Sequence, residues 1–356
     1  MISLRELLED MMKQEASDLH LTAGLPPMFR VDGALVPSRF EVLSPEDTRQ
    51  LAYSVLNDEQ KKTFENANEL DLSFGVQGMS RFRANVFLQR GVTTMAIRKI
   101  PYDILDFSKL GLPPAVRKFA ELPRGLILVT GPTGSGKTTT LASVIDFINQ
   151  NRKGHILTIE DPIEYVHHHK NCMVNQREVN SDTDTFSNAL KYVLRQDPDV
   201  ILVGEMRDRE TIAAAITIAE TGHLCLATLH TNSTFESINR IVDVFPSAQQ
   251  PQIRAQLAFV LEGVVTQQLI PRYKAKGREM VCETMVCTPA IKALIRDDKV
   301  HQIYGIMQAG QKFGMQTMNQ SLYAAYVNKR ISYDDAVGRS SDREELLKMI
   351  GEAVTV

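Results

Sequence analysis

Apolar residues at Leu4, Leu7, Leu8, Met11 and Met12 fall on one face at helical spacing, and Ser3 with Glu6 has the spacing of a capping box. An amphipathic helix is therefore expected over residues 3–12. Met28-Phe29-Arg30-Val31 and Ala34-Leu35-Val36 flank Asp32-Gly33, which is a hairpin signal. Ser44-Pro45-Glu46-Asp47 opens another helix. Strict alternation then appears at Leu70, Leu72, Phe74 and Val76, and again at Phe82, Ala84, Val86 and Leu88, with a third strand expected over 92–98. These elements predict a small α+β domain with an antiparallel sheet over residues 1–99. Residues 100–114 are rich in Pro and turn formers and read as a connecting segment. From about residue 115 the pattern changes to alternating strands and helices. Continuous apolar runs at 126–130, 155–159, 200–203 and 224–229 read as buried strands, with helices near 137–150, 185–195, 208–220 and 233–243. The expected fold class is α/β, with a mostly parallel sheet covered on both faces over 115–288 and short helices over 289–356.

Composition narrows the class. A chain of 356 residues, 43% hydrophobic and 23% charged, is an ordinary globular chain of two or three domains. Lys and Arg number 40 against 43 Asp and Glu, so the net charge of −3 gives no basic excess of the kind that marks a nucleic-acid binder. No apolar stretch reaches the length of a membrane span. Glu6, Glu9 and Asp10 come early, unlike a signal peptide. The cysteines, at 172, 225, 282 and 287, are too few and too irregular for a disulfide framework and fit a reducing cytoplasm. Cys282 and Cys287 lie among Val281, Met285 and Val286 and read as small hydrophobes of one strand. His167-His168-His169 reads as a solvated loop, with a metal or phosphate role as the alternative.

The candidate chemistry centres on Gly131-Pro132-Thr133-Gly134-Ser135-Gly136-Lys137-Thr138, which fits G-x-x-x-x-G-K-[ST] between an apolar strand and a helix. Backbone amides of such a loop face phosphates, and the helix N-terminus adds partial positive charge. Thr133, Gly134, Ser135, Gly136, Lys137, Thr138 and Thr139 are the candidate nucleotide contacts. Lys137 has the reach for β/γ-phosphates, and the Thr138 hydroxyl suits Mg²⁺. Asp199-Val200-Ile201-Leu202-Val203-Gly204-Glu205 is an apolar strand ending in an acid, the position from which a carboxylate faces Mg²⁺ and its waters. Glu160-Asp161-Pro162-Ile163-Glu164 follows another core strand. A carboxylate there orients or deprotonates an attacking water, or else belongs to a charged surface turn. His223 and His230 bracket an apolar strand, either for phosphate contact and coupling to a neighbouring subunit or as structural histidines. Arg81 and Arg83 share one face of a strand, with Arg98 on a later strand. They are candidate arginine fingers or simply solvated.

The P-loop, the acidic box, Val203-Gly204-Glu205-Met206-Arg207-Asp208 and the histidine box 221–230, in this order, resemble the ATPases of type II secretion and type IV pili over nearly the whole chain. The pilus-retraction branch is the most similar. The N-terminal domain begins almost at residue 1, no C-x-x-C pair is present, and residues 290–303 resemble a C-terminal helix motif associated with retraction. Lys292 and Ala293 replace the usual Arg and Asn, and Asp297-Asp298 stands where Glu-Gly is typical. The resemblance implies a RecA-like ATPase domain after a PAS-like N-terminal domain, assembled as a homohexamer that hydrolyses ATP with Mg²⁺. Glu164 would be the catalytic base. Glu205 would organise Mg²⁺ and water, with His230 beside it in catalysis. His223, Arg81, Arg83 and Arg98 would contact nucleotide. The implied partner is an inner-membrane pilus platform protein (PilC-like), with a paralogous retraction ATPase as a further one. The implied location is cytoplasmic and peripheral to the inner membrane. An accessory retraction paralogue and an assembly or secretion ATPase are the nearest alternatives. A nucleic-acid translocase fits the acidic balance poorly, and the intact Lys137, Glu164 and Glu205 argue against a non-hydrolysing sensor.

Overall fold

The computed structural model describes residues 2–31, 33–100 and 104–354, with side chains up to Gly351. Asp32 of the expected hairpin turn, residues 101–103 of the connecting segment and the last two residues of the C-terminal region lie outside the described residues. The chain divides into two compact units, Met1–Asp103 with Glu164–Val166, and Ile104–Ile163 with His167–Val356.

The first unit runs α1 (Leu4–Lys13), β1 (Asp18–Leu21), β2 (Met28–Val31), β3 (Ala34–Pro37), α2 (Pro45–Tyr53), α3 (Asp58–Ala67), β4 (Glu69–Val76), β5 (Ser80–Gln89) and β6 (Val92–Ile100). The capping box forms as expected: the Glu6 N–H donates to Ser3 Oγ at 3.3 Å, and the Ser3 N–H donates to Glu6 Oε2 at 2.9 Å. The strands form one antiparallel sheet in the order β3-β2-β1-β6-β5-β4. One face buries Leu19, Phe29, Phe82, Ala84 and Ile97 against Leu7, Leu8 and Met11 of α1, Leu51 of α2 and Phe64 of α3. Because strand side chains alternate, the other face is polar, and it carries an in-register row of Arg30, Asp18, Arg98 and Arg83 across four strands.

The second unit runs α4 (Pro114–Glu121), β7 (Gly125–Thr130), α5 (Lys137–Asn151), β8 (His155–Glu160), β9 (Met173–Glu178), α6 (Phe186–Val193), β10 (Val200–Val203), α7 (Arg209–Glu220), β11 (Leu224–Leu229), α8 (Thr234–Asp243), α9 (Gln250–Val260), β12 (Leu261–Pro271) and β13 (Arg278–Val286). The short helices α10 (Pro289–Arg296), α11 (Ile303–Gln308), α12 (Met318–Val327), α13 (Tyr333–Arg339) and α14 (Arg343–Val354) follow. Its seven-stranded sheet has the order β13-β12-β7-β11-β10-β8-β9, parallel except for β13. Every residue of β7, β8, β10 and β11 is buried. Leu126, Leu128, Ile159, Ile201, Val203 and Ala227 join the core on one face, and Ile127, Val129, Ile156, Leu202 and Leu226 join the core on the other. Burial on both faces is why these strands read as continuous apolar runs. Helices α10 and α11 add Ile291, Ile295, Ile303 and Met307 to the first of these cores. A separate cluster seats Met318, Leu322 and Leu346 on Ile270 and Val281. Among the described residues no helix is long and apolar enough to cross a membrane.

Two expectations are corrected. His167 is buried, not solvated: its N–H donates to Gln176 Oε1 at 2.8 Å, and burial lowers its ring from 6.5 to about 4. Only His168 and His169 are exposed. Cys282 lies within β13, whereas Cys287 sits just beyond its end. All four cysteines are buried free thiols, and burial raises each of them, Cys225 to about 12 and Cys282 to about 11.

Candidate active site

The chain leaves β7 at Thr130 and enters α5 at Lys137, so residues 131–136 form the loop at the carboxyl end of the sheet. Gly131 has φ +138°, and a Cβ there would stand 2.3 Å from the Gln267 carbonyl oxygen. Only glycine fits that close approach. Gly136, at φ +89°, is the N-cap of α5 and brings no side-chain acceptor to its first-turn amides. A helix N-terminus of this kind carries partial positive charge and favours an anion beside it. Lys137 Nζ donates to the Gly131 carbonyl at 2.8 Å and to the Pro132 carbonyl at 3.1 Å, which holds the ammonium against its own loop. Thr133 and Gly134 are exposed, Ser135 is buried, and Lys137, Thr138 and Thr139 are partly buried in the first turn. Behind the loop the Thr130 and Thr266 hydroxyls meet at 2.7 Å.

Strand β11 lies beside β7, and β10 lies beside β11. Their carboxyl ends are tied together by Thr228 Oγ1 donating to the Gly204 carbonyl at 2.5 Å and by the Met206 N–H donating to the Thr228 carbonyl at 3.1 Å. This brings Glu205 and His230 into contact, with His230 Nε2 3.1 Å from Glu205 Oε1. Arg207 Nη2 donates to the other carboxylate oxygen at 2.7 Å. Burial pushes the Glu205 carboxyl up, but the Arg207 hydrogen bond and the neighbouring His230 and Arg207 charges outweigh it and hold the group below its ordinary value. Two strand spacings, about 10 Å, separate the β7 and β10 ends. A hydroxyl on α5 and a carboxylate after β10 form a hard oxygen donor set, which suits Mg²⁺ held partly through water.

The acidic box divides. Glu160 ends β8 and is buried; Thr158 Oγ1 and Gln176 Nε2 donate to its Oε1 at 2.7 and 3.1 Å. Glu178 Oε2 accepts from the Ile163 N–H at 3.1 Å and fixes the segment that follows. Glu164 is exposed and groups with the first unit. His223 is not brought to the loop. It precedes β11, and its carbonyl accepts from the Gly125 N–H at 3.0 Å, at the start of β7. Six strand residues, about 20 Å, therefore separate it from the phosphate end. The expected His223 contact with phosphate is not formed at this chain's own P-loop. Its Nδ1 instead faces Thr221 Oγ1 at 3.1 Å and the Ile218 carbonyl at 3.2 Å.

The three arginines lie on the polar face of the first unit's sheet. Arg98 Nε donates to Asp18 Oδ1 at 2.7 Å, Arg81 Nη2 donates to Ser73 Oγ at 2.7 Å, and Arg83 stands 3.9 Å from Asp71. Burial would raise Asp18, yet the bonds from Ser17 and Arg98 hold it below the ordinary carboxylate value. Asp18 thus aims Arg98, a role that no motif announced.

The family described as "Type II/IV secretion system protein" matches residues 1–331. The chain belongs to this family. A member from Pseudomonas aeruginosa, the "Type IV pilus retractation ATPase PilT", is 49% identical over 335 residues, covering 94% of this chain and 97% of its own. The "Type IV pilus ATPase PilU" of the same organism is 42% identical over 98% of this chain and 91% of its own. The crystal structure of "the Pilus Retraction Motor PilT and Bound ADP" superposes with a TM-score of 0.92 and 49% identity, over 98% of this chain and all of that one. The α/β fold of the family, an antiparallel N-terminal sheet and a mostly parallel ATPase sheet, is the fold of this chain. The family read from the ordered motifs is thereby established.

Proposed function

We propose that this chain is an ATP-hydrolysing motor that drives retraction of type IV pili and so supports twitching motility. The observation that carries this is the 49% identity to the pilus retractation ATPase along 94% of the chain. The P-loop residues bind and orient a triphosphate, a reading supported by the close approach that only glycine allows at Gly131. Lys137 exchanges its loop carbonyls for phosphate oxygens, and the amides of 134–138 receive the rest of the negative charge. Mg²⁺, when bound, neutralises charge on the phosphates, and Thr138 Oγ1 and Glu205 are the groups that hold it and its waters. Glu164 acts as the base toward water, and His230 orients Glu205 from its Oε1 side, across from Arg207. Arg81, Arg83 and Arg98 stabilise charge that develops on the phosphates, delivered within a homohexameric ring. The ring works in the cytoplasm against an inner-membrane platform protein.

The test is a surface-pilus count in the native host after deletion of the gene, with twitching scored alongside. Excess pili without twitching is the expected result. Few or no pili would overturn the retraction reading in favour of assembly. An unchanged count would point to an accessory or redundant paralogue.

A further inference from the structure

The P-loop is shaped from outside by a residue that touches no phosphate. Gln267 lies in the middle of β12 and is 1% exposed. A buried amide is costly unless both its ends are bonded, and here both ends go to the loop and its helix. Nε2 donates to the Ser135 carbonyl at 2.8 Å, and Oε1 accepts from Thr140 Oγ1 at 3.0 Å. After a register shift between Leu261 and Gly263, the β12–β7 pairing runs in step to Thr266 opposite Thr130, so Gln267 stands where the ladder stops and the loop begins. Its main-chain carbonyl oxygen stands 2.3 Å from where a Cβ of Gly131 would be, with Ser135 Oγ at 2.7 Å, and its side-chain Nε2 is 3.2 Å from where a Cβ of Gly136 would stand. One residue therefore abuts the loop at its entry, its crest and its exit into α5.

We propose that Gln267 is the positioning residue of the phosphate-binding loop, setting the curvature that aims the amides of 134–138. This rests on the nucleotide-site reading above. Glutamine is suited because the position needs one donor and one acceptor. A carboxylate would turn an oxygen against the Ser135 carbonyl, and Met would keep the length while losing both bonds.

The test measures ADP affinity and melting temperature for the parent, Lys137→Ala, Gln267→Met, Gln267→Glu and Thr140→Val. Gln267→Met is expected to bind ADP about tenfold more weakly and Gln267→Glu more weakly still. Thr140→Val is expected to lose about threefold, each change following from the hydrogen bonds removed. Gln267→Met with unchanged ADP affinity overturns the proposal, whatever its melting temperature. If neither Gln267 variant folds, Thr140→Val decides: weakened ADP binding supports the proposal, and parental affinity overturns it. A parent that binds ADP no better than Lys137→Ala would instead overturn the nucleotide site itself.

Discussion

Glu205 is gripped from two sides, by Arg207 at 2.7 Å and His230 at 3.1 Å, and this sets when it can work. Its carboxyl is depressed, so the charged form persists throughout the neutral range and is lost only as pH falls below the ordinary carboxylate value. Arg207→Ala removes the largest favourable contribution. The ATPase rate at pH 5 relative to pH 7.5 is then expected to fall below the parent's ratio, because Glu205 protonates sooner. An unchanged ratio would show that Arg207 does not govern Glu205. His167 loses its contribution in the same direction, on acidification, but from a different cause. It is a base buried neutral, with Asp146 favouring its charge and Lys170 and His168 opposing it. Protonation is disfavoured in the folded chain, so its contribution is intact above 6.5 and is lost as pH falls toward about 4. The loss accrues at about 1.4 kcal/mol per pH unit. His167→Phe is expected to flatten the decline of melting temperature across that window, and a slope equal to the parent's would refute the assignment.

Helix α5 turns core packing into ligand geometry. Its first turn presents Lys137 and Thr138, while Ile145 and Ile148 are wholly buried beneath the sheet. Ile145→Ala should cost about 3 kcal/mol of stability in denaturant titration. Because the first turn is tied to Gln267 through Thr140 and not through Ile145, ADP affinity in the folded fraction should stay within about twofold. What could be read from the sequence follows from the same distinction. Strands β7, β8, β10 and β11 were legible because both their faces are buried, and the P-loop because its spacing is chemical. Strand β9 was not, since Asn175, Gln176 and Arg177 on a sheet edge have no apolar period. Strand β12 was masked by Thr266, Gln267 and Gln268, polar residues whose partners are distant in the chain. Gln267 bonds Ser135 across 132 positions, and no local pattern records such a pairing. His223 and His230 looked equivalent because a strand's two ends read alike in sequence, although one sits at the amino end and the other at the carboxyl end of β11.

At the scale of the whole molecule, the arginine-bearing sheet and the P-loop sheet belong to different compact units with separate cores. If the arginines act across subunits of the proposed ring, Arg98→Ala and Lys137→Ala chains, each inactive alone, should regain part of the ATPase rate when mixed, since some junctions then pair an intact arginine with an intact loop. A mixture no more active than its components would refute action in trans. The thiols described earlier bear on how such a ring can be watched. Every cysteine of the chain is buried and has its thiol raised by that burial, so thiolate is scarce at neutral pH and out of reach of solvent. A single cysteine introduced on either unit would be the one nucleophilic sulfur open to maleimide. With one such cysteine on each unit, a pair of labels could be placed on the native background, with no cysteine-free version built first, and changes in distance between the units followed through turnover.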